Sequence, residues 1–252
     1  MPGPVALIGA GEFLPMMAEF DAGLLSAIGR QRPRVAILLT ASWADDEVAF
    51  QRAAAMGVAH FGALGAEVEP VLVRNRSDAD NAAAAQALEE ADLIYLSGGK
   101  PGYLIRTIEG TAAGRAIAAA HGRGAVVAGC AAGAMVLASR AYDCRLGRLP
   151  WPLRWRSGLG VVPGVSVLPA YDSRPEPVSA LIVLQARRGA VLLGIDGGTA
   201  AVGRDGVWQV HGRSRVTVWR GRRRDRYRAG DFFRLETGEP DRLDQPAPLI
   251  RA

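Results

Sequence analysis

The sequence is poor in the side chains that most often do chemistry at neutral pH. Its 252 residues include three histidines and two cysteines. Cys130 and Cys144 are too few for a disulfide framework, and no Cys/His cluster has zinc-site spacing, so no metal is expected. Lysine is rarer still: Lys100 is the only one, and the remaining basic residues are arginine. No apolar run reaches the roughly 18 residues of a membrane span. Met1-Pro2-Gly3-Pro4 leads into the first apolar run without a basic region, so no secretion signal is expected either. With so little cysteine, the expected compartment is a reducing cytoplasm. A content of 49% hydrophobic and 22% charged residues excludes disordered and fibrous classes.

The formal net charge is +5. A GC-rich coding sequence writes arginine where others write lysine, so the arginine excess is weak evidence for a nucleic-acid partner. The single lysine, set in a glycine loop, is the more informative basic residue.

Short Val/Ile/Leu runs alternate with alanine-rich amphipathic stretches. Strands are expected at Val5–Ile8, Arg34–Leu39, Val68–Val73, Leu93–Ser97 and Ala125–Ala128. Helices are expected near 13–28, 45–64, 79–90 (capped by Ser77 or Asp78), 103–120 and 132–140. Nearly all-apolar strands alternating with helices predict a three-layer, doubly wound α/β fold with a mostly parallel sheet. Beyond residue 141 come a Trp- and Pro-bearing loop (147–164), strands at Val165–Leu168 and Ala190–Ile195, and a helix near 178–187. Turn signals at 203–206, 211–212 and 220–221 predict antiparallel C-terminal hairpins. The expected organisation is one domain over 1–236, with 203–236 as its antiparallel extension and 237–252 as a loosely ordered tail.

In an open parallel sheet, ligands bind beyond the carboxyl ends of the strands. Gly9-Ala10-Gly11 lacks a third glycine, and Thr40-Ala41-Ser42 stands where a dinucleotide site would carry its acid, so no cofactor is expected. Residues 129–133, Gly-Cys-Ala-Ala-Gly, fit better. A strand that ends in Gly-x-x-x-Gly and turns into a helix is the frame of a nucleophile elbow, which aims its middle side chain at substrate. Here that side chain is the methyl of Ala131, which cannot attack a carbonyl.

At this elbow the chain resembles the cyanophycinase and aspartyl-dipeptidase family of serine peptidases, which has a class I glutamine amidotransferase-like fold. The resemblance runs from the Gly-x-Gly-Glu start at residue 9 to the strands near 235. Where the family has an elbow resembling Gly-x-Ser-Ala-Gly-Ala, residues 129–134 read Gly-Cys-Ala-Ala-Gly-Ala. Where it has a Gly-Gly-Asn-type loop, the chain has Gly98-Gly99-Lys100. Its Pro-His-Phe/Tyr-Asp segment corresponds to Pro169-Ala170-Tyr171-Asp172, and its Gly-Ile-Asp-Glu segment to Gly194-Ile195-Asp196-Gly197. The resemblance therefore implies nucleophile, base and acid positions at Ala131, Ala170 and Gly197, each without its functional side chain. Three separated losses inside intact frames read as a natural pseudoenzyme. The resemblance also implies an oxyanion hole built from amides near Gly99 and at Ala132.

None of the three histidines, His60, His121 or His211, lies on a loop at the carboxyl ends of the strands, so no base is in place to rescue hydrolysis. Strand alternation turns Cys130 away from the Ala131 side, as a buried core thiol. The polar residues left at the rim are Glu12, Ser42, Ser97, Lys100, Tyr171, Asp172, Ser173, Arg174 and Asp196. Glu12 has two readings, a general acid or base, or a helix cap and arginine partner. Lys100 also has two, a ligand contact or a solvated charge. Asp172 and Asp196 are expected to bond turn amides, and Ser97 to be structural. The candidate binding set is Glu12, Gly99, Lys100, Ala132, Tyr171, Asp172 and Arg174, for an acidic or peptide-like small molecule. The expected role is a silenced peptidase homologue that binds or regulates. Alternatives are an active hydrolase or lyase working through Glu12, Lys100, Tyr171 or Asp172, and a structural partner in a homodimer or a heterodimer with an active homologue. The arginines at 213, 215, 220, 222–224, 226 and 228 read as charges guarding sheet edges rather than as a nucleic-acid surface.

Overall fold

The computed structural model describes residues 1–43, 46–143, 152–186 and 189–235. Cys144, Trp151, Arg187 and the tail 237–252 lie outside the described residues. The chain begins with β1 (Val5–Ile8), a 3-10 turn (Pro15–Met17), α1 (Ala18–Ile28), β2 (Arg34–Leu38), α2 (Thr40–Trp43), α3 (Glu47–Ala63) and β3 (Glu67–Val71). It continues with α4 (Arg76–Ala79), α5 (Ala82–Glu90), β4 (Leu93–Leu96), α6 (Pro101–Ile108), α7 (Ala112–Arg123), β5 (Val126–Cys130) and α8 (Ala132–Leu137). Then follow β6 (Ala138–Tyr142), β7 (Trp155–Ser157), β8 (Val162–Pro169), a 3-10 turn (Tyr171–Ser173), α9 (Glu176–Leu184) and β9 (Val191–Ile195). The last strands are β10 (Thr199–Arg204), β11 (Val207–Gly212), β12 (Arg215–Arg220), β13 (Arg223–Arg228) and β14 (Phe232–Arg234).

Among the described residues the central sheet has the order β14-β11-β10-β1-β5-β4-β2-β3. Its β1-β5-β4-β2-β3 portion is parallel, and β10, β11 and β14 extend it antiparallel. The inner parallel strands β1, β5, β4 and β2 are buried on both faces, which is why they read as apolar runs, whereas the edge strand β3 carries Glu67 and Glu69 and is largely open. Ala6 and Ile8 of β1 face a core built with α1 and α3, while Val5 and Leu7 face a second core built with α5 to α8.

Several local expectations are corrected. The first helix begins at Ala18 rather than Phe13, because Phe13 has φ 59° and Pro15 opens a 3-10 turn. Thr40–Trp43, read as loop, is helical. The stretch expected as one helix over 79–90 is two, capped by Asn75 and Asn81 rather than by Ser77 or Asp78. The helix expected over 103–120 breaks at Gly110 (φ 71°), and Thr111 caps the second half by accepting from the Gly114 amide. Residues 138–140, expected to continue the elbow helix, instead open β6.

The largest difference lies in the strands after residue 138. Six of them build a second sheet, β13-β12-β9-β8-β6-β7, while β10, β11 and β14 lengthen the first. The C-terminal hairpins are divided between the sheets, with β10 and β11 in the first and β12 and β13 in the second. Apolar runs mark strands but do not say which neighbour they pair with. The second sheet packs its Val165, Val167, Leu193, Val216 and Val218 into the same core as α8. No helix of the described residues is long and apolar enough to cross a membrane.

Candidate functional site

The elbow has the expected geometry. β5 ends at Cys130, and Ala131 turns the chain into α8 with φ 48° and ψ −106°. Residues with a Cβ rarely adopt that conformation, and at active sites it is the signature of a side chain held against local strain. The flanking glycines are required by contact. A Cβ on Gly133 would lie 2.1 Å from the Leu96 carbonyl oxygen, and one on Gly129 would lie 2.5 Å from the Gly133 carbonyl carbon. Ala170 is the second strained position (φ 46°, ψ 50°), at the turn leaving β8. Positive φ is thus found at two of the three positions that the resemblance assigns to the triad, although both side chains are methyls.

The carboxyl ends of both sheets converge on this elbow. The Ala170 amide donates to the Gly9 carbonyl at 3.2 Å, and the Gly198 amide donates to the Ala10 carbonyl at 3.0 Å. A Cβ on Gly9 would stand 2.2 Å from the Asp196 carbonyl oxygen, so the loop after β1 is wedged against the loop after β9. At Gly197, the third position that the resemblance assigns, the amide donates to Asp172 Oδ1 at 2.8 Å. A Cβ there would meet only the Asp172 carboxylate, at 3.6 Å, which leaves room for a side chain.

Glu12 lies closest to the elbow. Its Oε2 accepts from the Gly98 amide at 2.6 Å. Its Oε1 and the Ala131 methyl lie 3.3 and 3.4 Å from the point where a Cβ on Gly98 would sit. The carboxyl is partly buried, and burial pushes it up to about 7 against the lowering effect of the Gly98 amide. It lies near Ala131, the position that the resemblance assigns to the nucleophile. The neighbouring peptide is tied down by Ser42, whose hydroxyl donates to the Gly98 carbonyl at 3.0 Å and lies 3.3 Å from the Ser97 hydroxyl. Gly99 has φ 132°, and a Cβ on it would lie 2.3 Å from the Ala41 carbonyl oxygen. Only glycine fits that crossing.

Other candidates fall differently. Tyr171 departs from the binding role expected of it: the residue is buried, its hydroxyl accepts from Trp219 Nε1 at 3.2 Å, and its ring fills the space beside Gly194. It is a core residue of the second sheet. Asp196, expected to bond turn amides, instead accepts from the Ser214 hydroxyl at 2.6 Å and lies 3.4 Å from Arg215 Nε. Asp172 does bond a turn amide, that of Gly197. Arg174 donates from Nη1 to the Tyr142 hydroxyl at 3.2 Å. Lys100 is exposed at the start of α6, where its amide donates to the Ala41 carbonyl at 3.0 Å. Ala132 opens α8, and its amide has no preceding turn to bond to.

Two of the histidines are hydrogen-bonded to other residues, and the third has a buried Nε2 with no partner among the described residues. His60 Nε2 lies 2.7 Å from Oδ2 of the buried Asp21, in the core under α1. His121 Nε2 contacts the Gly3 carbonyl at 2.9 Å, near the amino ends of the parallel strands. His211 pairs with Ala200 in the sheet, its ring lies 5.9 Å from that of Phe20, and burial pushes it down to about 4. Cys130 is buried in the core that holds Tyr95, and burial pushes its thiol well above the ordinary range. The Ala131 methyl packs partly against that same core, because the elbow breaks the strand alternation that would have separated the two. A groove of about 950 Å³ at the opposite end of the sheet includes Arg30, Arg34, Glu90 and Asp92. Its ion pairs, Arg30–Asp92 at 3.4 Å and Arg34–Glu90 at 3.0 Å, are internal.

The Glu12–Gly98–Ala131 contact was beyond sequence reasoning, which placed each residue at the rim without showing that they meet. The available signal is the pair Gly98-Gly99: a Cβ on Gly99 would collide with the Ala41 carbonyl, and one on Gly98 would press on Glu12 at 3.3 Å.

Comparison with known proteins agrees with this geometry. A peptidase from an acI-B1 Actinobacterium is 30% identical, with a TM-score of 0.81 over 93% of this chain and 98% of that one. A candidate peptidase E protein from Listeria monocytogenes EGD-e shares the fold, at 19% identity and a TM-score of 0.60, over 85% of this chain and 100% of its own. No curated protein matches the chain. The model of peptidase family S51 matches residues 5–210, and the chain belongs to that family.

Proposed function

We propose that this chain is a catalytically silenced S51 homologue that retains its cleft as a binding site for an anionic or peptide-like small molecule. The observation that carries the reading is Ala131, held at φ 48° and ψ −106° where a nucleophile would be aimed. Serine-type hydrolysis needs a hydroxyl, a base within hydrogen-bond reach and a group to orient that base. The corresponding residues here are Ala131, Ala170 and Gly197; His60 and His121 are bonded to Asp21 and Gly3, and His211 lies on β11 with its ring against Phe20. The parts of such a site that stabilise charge are mostly backbone, and they outlast the loss of side chains. The Ala132 amide at the start of α8, with Lys100 and Arg174 on the surrounding loops, favours a carboxylate-bearing ligand.

One observation favours a second reading. A carboxyl with a pKa of about 7 beside the elbow has the properties of a general acid or base, so Glu12 supports hydrolase or lyase chemistry without the triad. Peptidase assays on the natural chain and on an Ala131→Ser/Ala170→His/Gly197→Glu variant separate the two. Turnover by the variant alone is the expected result. Turnover by the natural chain that is lost in Glu12→Gln replaces the silenced reading with the second one. An inactive variant that is folded shows that more of the site than three side chains has changed.

A further inference from the structure

The Gly98 amide already holds a carboxylate, and that carboxylate belongs to the protein. Glu12 Oε2 lies 2.6 Å from it, and Oε1 and the Ala131 methyl stand 3.3 and 3.4 Å from the same point, where a Cβ on Gly98 would sit. A ligand carboxylate arriving above Ala131 would therefore meet another carboxyl at close range. Two such groups cannot both be ionised in a partly buried site, but they bind each other well when they share one proton.

We propose that ligand capture by this cleft is proton-linked, with Glu12 donating its proton as a hydrogen bond to the incoming carboxylate. This rests on the binding reading above and specifies how that site is regulated. No covalent bond forms or breaks: the proton comes from solvent, sits on Glu12 and bridges the two carboxyl groups. Gly98 keeps its bond to the carbonyl oxygen of the protonated Glu12.

The surroundings support Glu12 as the group that changes charge. On the β5 side it faces Cys130 and on the β4 side Tyr95, and burial pushes both well above their ordinary ranges, so both stay neutral. Asp21 of α1 is next in that core; burial pushes it up, and its contact with His60 opposes the shift. From the loop after β4 comes the Gly98 amide, followed by Lys100 at the surface. From the loop after β8 comes Asp172, whose Oδ1 is taken by the Gly197 amide. Glu12 itself is pushed up to about 7 by burial.

Ligand binding that requires the protonated form weakens as that form disappears. With a midpoint near 7, affinity falls about tenfold between pH 6 and pH 8. Calorimetry with succinate, in buffers of different ionisation enthalpy, reads both affinity and proton uptake. The expected result at pH 8 is uptake of close to one proton per succinate bound. Glu12→Gln, whose amide is a permanent donor, is expected to bind equally at both pH values with no uptake. Binding by the natural chain without uptake, or a pH dependence that persists in Glu12→Gln, overturns the inference and leaves the binding reading intact. No binding at millimolar succinate at either pH rejects this carboxylate as a ligand and the inference with it. A ligand-free arm separates the two ideas further. The ¹³C carboxyl resonance that Glu12→Gln removes should titrate near 7, and a midpoint near 4.5 overturns the proton linkage whatever binds.

Discussion

Replacing Ala131 by glycine should stabilise the protein, the reverse of what a glycine normally does. A non-glycine residue held in a sparsely populated region of φ/ψ costs about 1–3 kcal/mol. At φ 48° and ψ −106°, Ala131 carries that cost for a methyl with no chemistry to perform. Glycine removes the strain. Against this, it adds freedom to the unfolded chain worth about 0.4–1 kcal/mol and loses a partly buried methyl worth at most about 0.8 kcal/mol. The central balance is a gain of roughly 0.5 kcal/mol, within a span from a loss of about 0.8 to a gain of about 2.6 kcal/mol. Ala134, three residues on and fully buried in α8, is the control. Its replacement by glycine has no strain to relieve and should cost about 1–2 kcal/mol from propensity and burial together. Urea denaturation of both variants therefore gives opposite signs, with a separation of about 2 kcal/mol, or several degrees in Tm at this chain length. A loss at Ala131→Gly equal to that at Ala134→Gly would mean the elbow is unstrained, and the reading of residue 131 as a former nucleophile position would fall with it.

Other perturbations follow from the same contacts. Gly133→Ala puts a Cβ 2.1 Å from the Leu96 carbonyl oxygen, where backbone rather than a flexible side chain must move. It should cost about 2–3 kcal/mol in the same denaturation assay. Glu12→Gln should change the pH dependence of stability with a definite sign. Burial raises the folded carboxyl from 4.5 to about 7, so the folded state holds this proton more tightly than the unfolded chain does. Stability from this group is complete below about 4.5 and lost as pH rises toward 7, at no more than about 1.4 kcal/mol per pH unit. The glutamine variant lacks that titration. Its stability relative to the natural chain should rise between pH 4.5 and 7 and stay level above.

Much of the fold and of the triad frame can be read from the sequence because both rest on local steric rules. Buried parallel strands need unbroken apolar runs, and Ala6–Ile8, Val35–Leu38 and Leu93–Leu96 supply them. The elbow at 129–133 is legible because Gly129 and Gly133 meet backbone, which leaves no other residue possible there. Pairing choices are less visible. Ala138-Ser139-Arg140 has the propensity to continue α8, yet forms β6 because β7 and β8 lie alongside to pair with it. Tyr171 sits in a segment where the resemblance implies a site, but its hydroxyl is claimed by Trp219, 48 residues later. Glu12 and Gly98 are 86 residues apart and meet only because their strands end at the same edge. The Asp21–His60 pair is equally long-range, and nothing in either helix alone marks it.

Whether the chain has a working nucleophile can be read directly from intact mass after treatment with an alkyl fluorophosphonate, which traps serine hydrolases at the attacking oxygen. The natural chain is expected to keep its mass, while the Ala131→Ser/Ala170→His/Gly197→Glu variant gains one adduct mapping to position 131. A stoichiometric adduct on the natural chain would contradict the account, because it would reveal an activated hydroxyl that Ala131 does not provide.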